Sequence, residues 1–109
     1  MYPFMIYIYM FNWSLVEGFQ WDSGNGRKNA EKHGVDQSQA EQVFFSHPLL
    51  VIEDVRHSEN EVRFHALGQT EDMRRLHITF TLRSKGRLIR IISARDMSRN
   101  ERQIYDAAT

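Results

Sequence analysis

The stretch "RLHITFTLRSKGRLIRIISA", residues 75–94, constrains the fold more tightly than any other part of the chain. Leu76, Ile78, Phe80 and Leu82 alternate with His77, Thr79 and Thr81, the period-2 pattern of a half-buried antiparallel strand. Ser84-Lys85-Gly86 then reads as a hairpin turn. Arg87 to Ala94 is apolar on nearly both sides, which suits a strand in the middle of a sheet. Two further strands precede these. "LLVIED" (49–54) is a short apolar run, and Val62, Phe64 and Ala66 alternate with Arg63, His65 and Leu67 until Gly68, which is expected to break the pattern.

The remaining segments read as helices, apart from a short strand candidate at Phe19–Trp21. Asp22 or Ser23 is placed to cap a helix running to about His33, and Gly34 stands where a left-handed helix end favours glycine. Asp36 and Gln39 have capping-box spacing, and Ala40, Val43 and Phe44 follow as one apolar stripe. His47-Pro48 ends that helix, because a residue before proline avoids the helical region. Ser98 and Glu101 form a second capping box, opening a terminal helix through about Ala107. The order is β, α, α, four strands, α. It implies an α+β domain with two N-terminal helices and a C-terminal helix packed on a mainly antiparallel sheet of four to five strands.

The chain has 109 residues, enough for one domain with its own core. The absence of cysteine removes disulfides, thiolate metal sites and thiol nucleophiles, and fits a reducing cytoplasm. Net charge is zero but unevenly spread. From Met73 to Arg102, Arg74, Arg75, Arg83, Lys85, Arg87, Arg90, Arg95, Arg99 and Arg102 face only Asp96 and Glu101, whereas from Asp36 to Glu61, Asp36, Glu41, Glu53, Asp54, Glu59 and Glu61 face Arg56 alone. Such asymmetry points to a polyanionic partner or to plain solvated surface. No charged side chain precedes Glu17. That leader is short of the roughly 20 residues that span a bilayer and lacks a signal-peptide pattern, so no membrane partner is expected. Residues 1–18 are expected to form an extension outside a domain at 19–109, with the working chain starting near Glu17.

No Cys/His cluster has metal-ligand spacing, and no P-loop, dinucleotide fingerprint or G-x-S-x-G is present. No metal and no cofactor are expected. The five histidines are scattered, and each reads equally well as a surface residue. A set of cations remains. Arg63 projects from a strand, Arg95 ends the central strand, Arg99 and Arg102 open the last helix, and Lys32 and His33 close the first. Arg99 sits against the preference of a helix start for negative charge. Such a set suits RNA cleavage without a metal. The neighbouring 2′-hydroxyl is the nucleophile, arginines hold the non-bridging oxygens, and a histidine or glutamate moves protons. The plainer alternative is that Glu61 and Arg63 simply pair with each other.

Read together, Trp21-Asp22, Asn29 with Lys32-His33-Gly34, His57-Ser58-Glu59 with Glu61 and Arg63, and Ile92-Ser93-Ala94-Arg95 followed by Arg99, Glu101-Arg102 and Tyr105 resemble the BrnT family. Phe19 to Asp106 carries the resemblance. It implies a RelE-like fold, a toxin ribonuclease that arrests translation, and a BrnA-like ribbon-helix-helix antitoxin through which alone the pair would reach operator DNA. On these positions, Lys32, His57, Glu61, Arg63, Arg95 and Arg99 become the candidate catalytic residues. His33, Arg90 and Arg102 become candidate RNA contacts. The family helix usually opens with proline after Trp-Asp. Here Ser23-Gly24 follows, so a frayed first turn is expected. A non-catalytic RNA- or antitoxin-binding module acting as operon co-repressor is the competing function.

Overall fold

The computed structural model describes residues 13–22, 24–57 and 61–108. Its elements follow in the order β1 (Gly18–Gln20), α1 (Asn25–His33), α2 (Gln37–Gln42), β2 (Leu50–Asp54), β3 (Arg63–Gln69), β4 (Arg75–Arg83), β5 (Leu88–Asp96) and α3 (Arg99–Ala107). Short 3₁₀ turns lie at Trp13–Leu15, Val43–Phe45 and Val55–His57. The strands form one sheet in the order β1-β5-β4-β3-β2. β2 to β5 pair antiparallel, but β1 runs parallel to β5, with Gly18 opposite Leu88 and Gln20 opposite Arg90. The sheet is therefore mixed, a correction to the mainly antiparallel one expected. A strand of three residues carries no pattern from which its direction can be read.

The helices divide between the two sides of the sheet. The main core lies between the sheet and α1–α2 and contains Val35, Ala40, Val43, Val51, Ala66, Ile78, Phe80 and Ile91. Phe80 is its aromatic centre, edge-on to Phe44 at 5.0 Å and stacked on Phe64 at 5.4 Å. Leu50 and Leu67 alternate with Val51 and Ala66 and so point the other way. There they join Met97 and Tyr105 in a second cluster beneath α3. The Tyr105 hydroxyl donates to the Pro48 carbonyl at 2.6 Å, pinning α3 to the start of β2.

Local chemistry accounts for most element ends. Both capping boxes form, Asp36 accepting from the Gln39 N–H at 2.8 Å and Ser98 from the Glu101 N–H at 3.2 Å. Gly34 ends α1 at φ 66°. The start of α1 differs from expectation. Gly24 occupies the cap position at φ 84° with no side-chain hydrogen bond, and Asp22 is engaged elsewhere. Gly68 does not break β3 but lies buried inside it. A Cβ there would come within 2.5 Å of Ser46 Oγ and 2.7 Å of Val43 Cγ1, so the glycine serves close packing.

The aromatic-rich extension expected at residues 1–18 lies outside the described residues as far as residue 12. From there the chain joins the domain. Val16 packs on the core and the Glu17 N–H donates to the Arg87 carbonyl at 2.7 Å. A boundary at residue 19 thus falls inside β1. Among the described residues, no helix is long and apolar enough to cross a membrane.

Candidate functional site

The register of the sheet decides which charged residues meet. Across the side that carries α3, Asp54, Arg63, Thr81 and Arg90 form one row, since Asp54 pairs with Arg63, Arg63 with Thr81, and Thr81 with Arg90. The next row is Ile52, His65, Thr79 and Ser93, and the third is Leu50, Leu67, His77 and Arg95. Antiparallel partners project to the same side. Arg63, Arg90 and Arg95 therefore share one side with His65 and His77. A register shift between Thr79 and Phe80 skips Ile92 and keeps Arg90 and Arg95, five positions apart on β5, on that side.

A polar network runs through this surface. Asp54 Oδ2 lies 2.8 Å from His65 Nε2, and Thr79 Oγ1 lies 3.2 Å from His65 Nδ1. The His65 and His77 rings pack with centroids 4.8 Å apart. His77 Nε2 is 3.9 Å from Glu101 Oε2, beyond hydrogen-bond range. Glu101 in turn accepts from Arg95 Nη1 at 2.8 Å and Nη2 at 3.0 Å. Burial and the neighbouring Arg95 charge push the His77 pKa down to about 4, so its ring is neutral at pH 7. Burial pushes the Glu101 carboxyl up, but hydrogen bonds from Arg95 and the Ser98 N–H outweigh it and hold the group at about 2. The hydrogen bond to Glu101 raises Arg95 further. Arg95 also donates Nη1 to the Asp96 carbonyl at 3.0 Å. A guanidinium has five N–H donors. Among the described residues, the Nε–Nη2 edge of Arg95 keeps two of them for an anion.

The backbone under Arg95 is held from the opposite side. Buried Asn29 of α1 donates to the Ala94 carbonyl at 2.8 Å and accepts from the Ala94 N–H at 2.9 Å. It also donates to the Val35 carbonyl at 3.2 Å. One amide thus fixes the register between α1 and the residue preceding Arg95. Two other motif residues acquire structural partners. Trp21 Nε1 donates to Glu41 at 2.9 Å, and Asp22 pairs with Arg90.

Of the cations and proton carriers named from sequence, Arg63, Arg90 and Arg95 share the α3 side of the sheet, Arg63 and Arg90 in one row and Arg95 two rows away. Lys32 and His33 belong to α1, on the opposite layer. His33 instead lies near Asp96, whose carboxyl is lowered first by its hydrogen bond from Arg74 and further by Arg102 and His33. Arg102 donates to the Met97 carbonyl at 3.0 Å. Arg99 is exposed at the start of α3, about 160° around the helix from Glu101. Glu61 does not pair with Arg63 in the manner of the plainer alternative but meets Arg83 Nε at 3.0 Å. His57 closes a 3₁₀ turn, and its side chain lies outside the described residues. Sequence reading passed over Asp54, His65, Thr79, His77 and the role of Glu101. The signal was present in the polar positions of two alternating strands, but their pairing required the register.

A family model described as "Ribonuclease toxin, BrnT, of type II toxin-antitoxin system" matches residues 21–101. The chain belongs to the BrnT family. The fold agrees. The crystal structure of the Brucella abortus ribonuclease toxin BrnT superposes with a TM-score of 0.60 at 21% identity, covering 77% of this chain and 100% of that one. No curated protein matches the sequence. The match places this member of the BrnT family among toxins of type II toxin–antitoxin systems with ribonuclease activity. Such a toxin has an antitoxin partner. In this BrnT-family fold the polar side of the sheet carries Arg63, Arg90 and Arg95 together with His65 and His77.

Proposed function

We propose that the chain is a cytoplasmic endoribonuclease that cleaves RNA without a metal, using the substrate's own 2′-hydroxyl as nucleophile, and thereby arrests translation. A BrnA-like ribbon-helix-helix antitoxin neutralises it and brings the pair to operator DNA. The observation that supports this reading is the placement of Arg63, Arg90 and Arg95 on one side of a RelE-like sheet, beside two histidines. The reaction adds a negative charge to the phosphorane. Guanidinium groups that grip two non-bridging oxygens stabilise that charge more than they stabilise the ground state. Arg63 and the open edge of Arg95 approach the phosphate from different strands. Glu101 keeps Arg95 from swinging away, a benefit of preorganisation.

Purified protein in excess chelator is expected to cut a defined RNA, giving a 2′,3′-cyclic phosphate end. Arg63→Ala and Arg95→Ala are each expected to lower the rate by about 10²-fold or more, with the circular dichroism spectrum unchanged. Intact RNA after incubation with the wild-type protein would refute the proposal. The ion pairs of Arg90 with Asp22 and Arg95 with Glu101 favour a second reading, a non-catalytic module that holds RNA or antitoxin as an operon co-repressor. RNA retention without cleavage would select it.

A further inference from the structure

We infer that His65, oriented by Asp54, is the general base of this site and takes the proton from the substrate 2′-hydroxyl. The inference rests on the ribonuclease reading above and assigns proton abstraction to a residue outside the family motif. An ionised carboxylate can only accept a hydrogen bond. In the neutral ring, the 2.8 Å contact between Asp54 Oδ2 and His65 Nε2 places the proton on Nε2 and the lone pair on Nδ1. In that tautomer Nδ1 accepts from the Thr79 hydroxyl at 3.2 Å, the contact that the substrate 2′-hydroxyl has to displace.

Exposure agrees with the division of labour. The His65 side chain is 28% exposed and that of Asp54 13%, so the ring is within reach of substrate and its orienting carboxylate is shielded. The His77 ring packs against His65 and restricts its tilt. Arg63 precedes His65 by two positions on the same side of β3, about 7 Å along the strand, and its long side chain can cover that gap. The charged and titratable groups around the ring are thus Asp54 from β2, Arg63 from β3, His77 from β4, Arg95 from β5 and Glu101 from α3.

In the step itself the 2′-oxygen bonds to phosphorus as its proton moves to His65 Nδ1. The bond from phosphorus to the 5′-oxygen breaks, and that oxygen takes a proton from water. The products are a 2′,3′-cyclic phosphate and a free 5′-hydroxyl, and the histidine returns its proton to solvent.

Single-turnover cleavage of a short RNA by the full-length chain tests this. His65→Ala is expected to slow cleavage by about 10²–10³-fold. Binding of the same strand with a 2′-deoxy substitution at the cut site should change by no more than about threefold. Imidazole added to His65→Ala should restore at least about tenfold of the rate, and the acid limb of the wild-type pH–rate profile should disappear in the variant. Asp54→Asn should lose about tenfold with the acid limb retained, as befits a positioning residue. His65→Gln, which keeps a polar side chain between Asp54 and Thr79, should fold as wild type yet remain slow. Cleavage by His65→Ala within about threefold of wild type, or intact binding with no response to imidazole, overturns the inference while leaving the ribonuclease reading in place. A wild-type protein that cuts no RNA overturns both.

Discussion

The two sides of β4 are buried almost equally and are built from opposite materials. Toward α1 and α2 stand Leu76, Ile78 and Phe80; toward α3 stand His77, Thr79 and Thr81, and all six are classed as buried. The first side is stabilised by apolar contact alone. On the second, nearly every polar atom must find a partner, because leaving one bare costs more than a hydrogen bond returns. Thr81 meets this need by donating to the Val62 carbonyl at 2.7 Å, and Thr79 by its contact with His65. Burial and the Arg95 charge keep the His77 ring neutral, and its Nδ1 has no partner among the described residues. One side is therefore held by packing and the other by a small set of specific polar contacts.

That contrast is broken most severely by Phe80→Ala, expected to cost about 3–5 kcal/mol in chemical denaturation. Thr81→Val, at equal burial, should cost only about 1 kcal/mol through the Val62 carbonyl it leaves bare. Similar losses from both would show that the polar side is an ordinary core. Next comes Asn29→Ala, expected to cost about 1–3 kcal/mol by stripping both backbone groups of Ala94. It should also lower RNA cleavage, since Arg95 follows directly.

Acidification probes the polar side alone. The unfolded His77 ring takes a proton near pH 6.5 and the folded one only near pH 4. Between those values the unfolded chain binds more protons, so stability falls as pH is lowered through the window and is unaffected above it. The loss from this ring should be about 1–3 kcal/mol, and His77→Leu should flatten that slope. Glu101, held at about 2 against an ordinary 4.5, extends the loss below pH 4.5 in wild type and variant alike. The smallest change is Arg27→Ala. It removes an exposed pair with Glu31 at 4.0 Å and should alter stability by less than about 0.5 kcal/mol.

Much of the fold was legible because local rules act within a few residues. The capping boxes at Asp36 and Ser98, the hairpin at Ser84–Gly86 and the apolar side of β4 formed as read, and Phe64 and Ala66 of β3 joined the core, whereas Val62, expected beside them, is 45% exposed and precedes the strand. Gly68 was misread because its reason is contact with Val43 and Ser46, remote in sequence. The polar positions of β4 were taken for solvent-facing, since alternation reports polarity and says nothing of what a later helix will cover. The site was only partly legible for a related reason. Arg63 and Arg95 announce themselves as cations, but that His65 reaches Asp54 and touches His77 depends on pairings among three strands. Lys32 looked equivalent to those arginines until α1 proved to lie on the other layer.

The pairing of β1 with β5 has a consequence for the order in which the fold can close. β1 leaves the ribosome first and its partner emerges almost last, while the carboxylate that steadies Arg95 sits on the final helix. A nascent chain still threaded through the exit tunnel lacks both. The edge pairing and the Arg95–Glu101 ion pair thus close the fold late, joining segments that lie far apart along the chain.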